Sequence, residues 1–253
     1  MRFFVLLLLL TFISMPALAC DLNLFAIMAG TSKQDEFAAA ITRLAVAIKL
    51  LGEQYLDEKL AERRLVEFMS CWVDFAASFS QFPPEWGGKD PRWQAKFSEL
   101  GRIIGEIRQK LKADRHSAHD EMLKFSRRLS WLYECKPMGE QPRLLLEFTR
   151  CFDRLWSASA EKNRADLIEQ SAELKRLGER LNKMLANTEI ELTKIIGSRA
   201  EQLIELSTRE NVFESMTLRM TLSAAEAEFA SLNEKLSAAM KPTTPGNENS
   251  TDH

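Results

Sequence analysis

The chain has 253 residues, of which 45% are hydrophobic and 28% charged, a balance that excludes a disordered chain. Its formal net charge is −2 and it has no run of basic residues, so the composition argues against nucleic acid as a partner. Leu, Ala, Glu, Lys and Arg dominate while β-branched residues are few, which favours helices over strands.

The N-terminal residues predict export. Arg2 precedes an apolar run that starts at Phe3 and is interrupted only by Thr11, and a small-x-small motif ends at Ala19. This order is typical of a secretory signal peptide over residues 1–19, and the run is shorter than the roughly 20 apolar residues of a membrane span. We therefore expect an exported protein that is periplasmic, membrane-anchored or otherwise secreted.

Cys20 directly follows the cleavage motif. A cysteine in this place resembles the signal of bacterial lipoproteins, in which the thiol is acylated and becomes the new N-terminus. The resemblance covers residues 15–20, and the chain has Ala17 where the lipoprotein family prefers Leu. It implies a membrane tether through Cys20. The alternative is ordinary cleavage that leaves Cys20 free or in a disulfide.

Apolar residues at helical spacing predict an all-α protein. The residues from Gly52 to Asp57 indicate a turn, although a single long helix of about 45 residues is the alternative there. Residues 21–30 predict a short helix docked on the bundle, and residues 241–253 a disordered tail. The remaining helices are expected over residues 35–52, 57–81, 93–111, 114–132, 143–160, 164–186, 189–209 and 211–240.

An aromatic seam marks the second of these helices. Its members follow one another at spacings of 3, 4, 3, 4 and 3, which places them on one face of a helix and predicts a buried row. The residues are Leu65, Phe68, Trp72, Phe75, Phe79 and Phe82.

The helix over residues 143–160 repeats this pattern at an offset of 80. Residues 65–75 match residues 145–155 in their Leu, Glu, Phe and Cys positions, and residues 99–102 match residues 173–176 at an offset of 74. We therefore predict a bundle of seven or eight mostly antiparallel helices with an internal helical-hairpin duplication. Residues 31–186 form the duplicated bundle, and residues 187–240 a C-terminal hairpin that packs on it or extends it.

Cys71 and Cys151 occupy equivalent places in the two copies. Antiparallel neighbouring helices would bring them to a similar depth, and an oxidising compartment permits a disulfide between them. Cys135 would then remain for Cys20 or stand free. The alternative is that Cys71 and Cys151 are small core residues beside the aromatic seam.

His116 and His119 are the best metal candidates. They lie three residues apart, so a helix would present both from one face to an ion. The alternative is a pair of solvated histidines in the first turn of their helix. No Cys-x-x-Cys-His motif for covalent haem occurs, and no motif of a hydrolase or a phosphate-binding loop has a fitting context. We therefore expect a protein that is not an enzyme and carries no cofactor.

Trp86 and Trp93 flank a loop rich in Pro and Gly. They are candidates for a partner surface, and the alternative is that both rings fold back over the end of the bundle. We expect a non-enzymatic interaction or scaffold protein of the cell envelope with a protein partner. The alternative function is a carrier of a small ligand, a metal or haem, which would use the bundle interior or His116 and His119.

Overall fold

The computed structural model describes residues 22–30, 35–185 and 190–239, without the side chains of residues 190–192. The predicted signal peptide, Cys20 and the predicted C-terminal tail lie outside these ranges. Within them the chain is all-helical, without a strand, and nine α-helices pack against one another. These are α1 (Leu22–Ala29), α2 (Glu36–Glu53), α3 (Glu58–Phe79), α4 (Trp93–Ala113), α5 (Arg115–Leu129), α6 (Glu140–Ala160), α7 (Arg164–Met184), α8 (Ile190–Ser207) and α9 (Met216–Ala239).

The all-α class is confirmed. The described residues contain nine helices rather than the predicted seven or eight, because the segment expected to dock on the bundle forms the short helix α1. The turn near residue 55 is also confirmed, since α2 ends at Glu53 and α3 begins at Glu58. Asp57 fixes this break, because its carboxylate accepts a hydrogen bond from the Leu60 amide at 3.0 Å and so caps the start of α3.

Three other side chains start helices in the same way. Asp35 accepts from the Ala38 amide at the start of α2, and Asp114 accepts from two amides at the start of α5. Asn163 accepts from the Asp166 amide at the start of α7. Each accepts a hydrogen bond from a backbone N–H that has no partner within its helix. These caps therefore fix where the helices begin.

The aromatic seam of α3 lies against the core along most of its length. Phe68 and Phe75 are fully buried, while Trp72 is half-buried and packs against Phe97 and Phe125. The predicted end of the seam is wrong, because Phe82 is 76% exposed. The helix ends at Phe79, so the helical spacing that would have turned Phe82 inward no longer applies.

The two predicted hairpin copies pack differently. Helices α6 and α7 lie close together along their length, whereas α3 lies closest to α2 and reaches α4 through large rings such as Trp72 and Phe97. The C-terminal helix α9 packs on α8 and on α1, and α8 packs on α7. The last two helices are therefore continuous with the packing of the rest of the described chain.

Candidate functional site

The loop after α3 folds back over the end of the bundle. Trp93 is only 4% exposed, and its indole Nε1 donates a hydrogen bond to the Phe79 carbonyl at 2.9 Å. Trp86 is half-buried and stacks on Tyr133, with ring centroids 5.8 Å apart. Phe37 contacts both tryptophans with its ring. The two tryptophans are therefore packed in an aromatic cluster at this end of the bundle, which is the second of the two arrangements that the sequence left open.

The two histidines of α5 lie against Tyr55. The His119 ring stacks on Tyr55 with centroids 4.6 Å apart, and the Tyr55 hydroxyl lies 3.3 Å from Nδ1 of His116. Burial lowers the pKa of His119, and the carboxylate of Asp120 acts in the opposite direction. Across the described ranges, no three His, Cys, Asp or Glu side chains are grouped so that they could hold a metal ion.

Cys71 and Cys151 are not bonded to each other. Cys71 is half-buried in a groove between α2 and α3, whereas Cys151 is buried between α6 and α7, where its thiol donates to the Gln170 carbonyl at 3.2 Å. The predicted disulfide is absent because the two cysteines face different neighbouring helices. Burial raises the pKa of the Cys151 thiol, which makes it a poor nucleophile.

A buried ionic network joins α5, α6 and α9, and the sequence analysis missed it. Arg127 donates to the Glu226 carboxylate at 3.2 Å and lies 3.7 Å from Asp153, while Arg128 donates to Asp153 at 3.0 Å. Trp156 donates its indole N–H to Glu226 at 2.9 Å. These residues lie up to 99 positions apart in the chain. In the sequence each therefore looks like one of the many solvated charges on the helix surfaces. One signal was available: Asp153 follows Phe152, which holds the place of Trp72 in the repeat of the aromatic seam.

A second buried cation lies near the loop after α3. Lys96 pairs with Asp90 and with Glu134, and it also donates to the Trp131 carbonyl at 2.9 Å. Burial would raise the pKa of Glu134, but Lys96, Arg150 and other cations outweigh it and hold that pKa below its usual range. The charge of Lys96 is balanced by Asp90 and Glu134. We therefore interpret this cluster as a structural ionic contact between α4 and the segment after α5.

The surface feature that stands out lies on α3. This helix buries Ala61, Phe68 and Phe75, yet its opposite side carries two valines that are 70% and 58% exposed, Val66 and Val73. With Ser70 and Ala77 they form a row at spacings of 4, 3 and 4, which we call the outer row (Val66, Ser70, Val73 and Ala77). A surface helix normally turns its valines to the core, so we take this row as the candidate contact surface.

Comparison with known proteins gives no family for this chain. It matches no protein-family model, no curated protein and no solved structure. Of the helices that the structure describes, none combines the length and the apolar composition needed to cross a bilayer. The candidate site is therefore taken from the structure itself, as the outer row of α3.

Proposed function

We propose that this protein is a non-enzymatic interaction protein of the cell envelope, which binds a helix of a partner protein along the outer row of α3. The observation that carries this proposal is the outer row itself. Its spacing is that of a seam in a pair of helices, and its small side chains would let a partner helix approach closely. Docking an amphipathic helix would remove Val66 and Val73 from water.

Two acids lie beside the outer row and favour basic residues on a partner there, while Lys59 lies two turns before Val66 on the same side. Glu62 and Asp74 are exposed, and neither forms an ion pair with another described residue. Glu67, on the same helix, is already paired with Arg63 and Arg64. A partner helix that carries Lys or Arg beside its apolar seam would place those cations near Glu62 and Asp74.

The compartment is part of the same proposal and is supported by the sequence of residues 1–20. A signal peptide over residues 1–19 would deliver the protein across a membrane, and acylation of Cys20 would tether it there. Labelling with a radioactive fatty acid tests the tether, with Cys20→Ser as the control. Label in the parent and none in the variant is expected for a lipoprotein. Export without label would leave the protein untethered.

The internal duplication remains an inference, and two features support it. Phe68 and Phe148 hold equivalent places and both are fully buried. Arg102 pairs with Glu99, and Arg176 pairs with Glu173, at equivalent places in α4 and α7. The different packing of α3 and α6 would then have arisen after the duplication, with the longer loop before α4.

A photo-reactive amino acid at Ser70 tests the proposed surface in cells of the source organism. We expect a discrete adduct with one partner protein that disappears in Val66→Asp and Val73→Asp. Because both valines are exposed, the unfolding free energy of these variants should stay within about 0.5 kcal/mol of the parent.

The matched control carries the same photo-reactive group at Ala172, an exposed small residue of α7. Adducts that are identical at both positions, or that persist in both Asp variants, would remove the outer row as the binding surface. An adduct between two copies of this chain would show that the outer row forms a homodimer. That result would contradict the proposal of a separate partner protein.

A further inference from the structure

A groove of about 370 Å³ lies between α5, the C-terminal half of α6 and the segment from Phe213 to Arg219. Its size falls within the roughly 300–1,000 Å³ of small-molecule sites. Four acidic and three basic side chains line it, together with an apolar wall. The groove is separate from the outer row of α3, to which it contributes no residue.

One end of the groove holds a buried arginine with spare donors. Arg127 is only 6% exposed, and its hydrogen bonds all leave from Nη1, at 3.2 and 3.4 Å to the Glu226 carboxylate. Its buried Nε faces Asp153 at 3.7 Å without a hydrogen bond, and Nη2 is the donor left for a ligand, since it bonds to no described residue. A guanidinium has five N–H donors, so an acceptor on a ligand would complete a group that the described residues leave only partly paired.

The other end of the groove is acidic. Asp120 lies seven residues before Arg127 on α5, and Glu161 lies eight residues after Asp153 on α6. Because Arg127 and Asp153 are in contact, the two acids lie at the same end, about 10–12 Å along the helices from Arg127. Asp120 is paired with Arg219, whereas Glu161 forms no ion pair with another described residue and follows the negative end of α6.

The wall between the two ends is apolar and fixed in place. Trp156 lies there with Phe213 and Leu123, and the hydrogen bond from Trp156 to Glu226 holds the indole in one orientation. The Arg127 guanidinium lies over the Trp156 ring, 5.5 Å from its centroid. The groove thus offers donors at one end, an apolar surface in the middle and a negative charge at the other end.

We propose that this groove binds a short zwitterionic peptide of two or three residues with an apolar side chain. Its free ammonium group lies at Glu161 and the end of α6, its terminal carboxylate accepts from Arg127, and its side chain packs on Trp156. An extended chain spans about 3.3–3.6 Å per residue, so three residues span about 10–11 Å, and two residues reach the same distance with a hydrogen bond of about 2.9 Å at each terminus. An anion without an ammonium group fits less well, since Asp153 and Glu226 already balance Arg127.

Calorimetric titration with glycyl-leucyl-glycine tests this site. We expect saturable binding, and at least about tenfold weaker binding of the N-acetylated peptide, which has lost its ammonium group. Glu161→Gln should weaken binding of the free peptide and leave binding of the acetylated one unchanged. Glu161 is exposed, so this variant is expected to fold as the parent does.

Ala160→Trp provides the blocking variant, because Ala160 is exposed and lines the groove. It should abolish peptide binding at an unchanged melting temperature, whereas Ala172→Trp, in the groove between α6 and α7, should bind as the parent does. No saturable heat up to about 10 mM peptide would overturn the proposal. Equal binding by Ala160→Trp, or of the acetylated peptide, would overturn it as well. None of these variants alters α3, so the result is independent of the proposed partner surface.

Discussion

Tyr55 lies in the turn between α2 and α3 and stacks on His119 of α5, with ring centroids 4.6 Å apart. This contact joins the first helical hairpin to the start of α5, and the Tyr55 hydroxyl reaches His116 as well. The two histidines that the sequence offered as metal ligands therefore have an aromatic partner from a distant part of the chain. Their role in the described structure is to hold three helix ends together.

The stability of the protein is expected to fall as the pH drops below about 6.5. Burial lowers the pKa of His119 in the folded protein, so the unfolded chain takes up its proton first and unfolding is favoured from the ordinary pKa of 6.5 downwards. Tyr55, His116 and Asp120 are the titratable groups that face it. Urea unfolding at pH 7.5 and 5.5 measures the difference, with a slope of at most about 1.4 kcal/mol per pH unit from this one group.

His119→Phe is the control for that pH dependence, because a phenyl ring keeps the stacking on Tyr55 and cannot titrate. The variant should lose most of the stability difference between pH 7.5 and 5.5. The carboxylates with lowered pKa, such as Glu134 and Asp90, act only at lower pH, below about 4.5. An unchanged pH dependence in His119→Phe would show that another group is responsible.

Asp153→Asn should destabilise the protein strongly. The Asp153 carboxylate is buried and lies between Arg127 and Arg128, so its loss removes the acceptor that they share and leaves Arg127 with Glu226 and Arg128 with Glu99. We expect a loss of about 3–5 kcal/mol in the free energy of unfolding. Asp120→Asn serves as the comparison, since the Asp120–Arg219 pair is exposed and should contribute no more than about 1 kcal/mol. Similar losses in the two variants would contradict the structural role of the network.

Phe152→Asp should destabilise the protein more than Trp72→Asp. Phe152 is buried against Phe229, so the new carboxylate would have no access to water, and a loss above about 4 kcal/mol is expected. Trp72 is half-buried, so its loss should be closer to about 2–3 kcal/mol. Chemical denaturation of both variants measures the difference. A Phe152→Asp variant that unfolds like the parent would show that α6 does not bury this row.

The thiols should react at very different rates in the folded protein. Cys71 is half-buried beside a groove, whereas Cys151 is buried and has a raised pKa. Cys135 is half-buried and free as well, so Ellman's reagent should modify Cys71 and Cys135 well before Cys151, and Cys71→Ser should remove one thiol equivalent from the faster phase. In denaturant these thiols should react at similar rates. A disulfide between Cys71 and Cys151 in the purified protein would contradict the described structure and support the bond that the sequence suggested.

The sequence was sufficient to predict the helices, because each one carries its own local signals. Asp57 marks the start of α3 by its capping residue type, and Gly52 and Asp57 bracket the turn before it. The helical spacing of the aromatic seam also identified Phe68 and Phe75 as core. What could not be read was the choice of neighbours. Nothing local to α3 says that it packs against α2 and leaves Val66 and Val73 open to water.

The ionic network shows the same limit at longer range. Arg127 and Glu226 lie on helices whose exposed faces carry many charges, so composition gives no reason to single them out. Only the arrangement of α5, α6 and α9 removes them from water together with Asp153. The groove beside them could not be predicted for the same reason. Each of its two ends is formed by residues of both α5 and α6, which come together only in the folded protein.

Glu226 lies 99 residues after Arg127 and 70 after Trp156, yet its carboxylate accepts a hydrogen bond from each of them. During synthesis these two side chains therefore remain without this acceptor until α9 has been made. In a nascent chain that stopped before α9, Arg127 would lack the Glu226 carboxylate and would have to stay in contact with water. The helix α9 thus decides when this part of the interior can close.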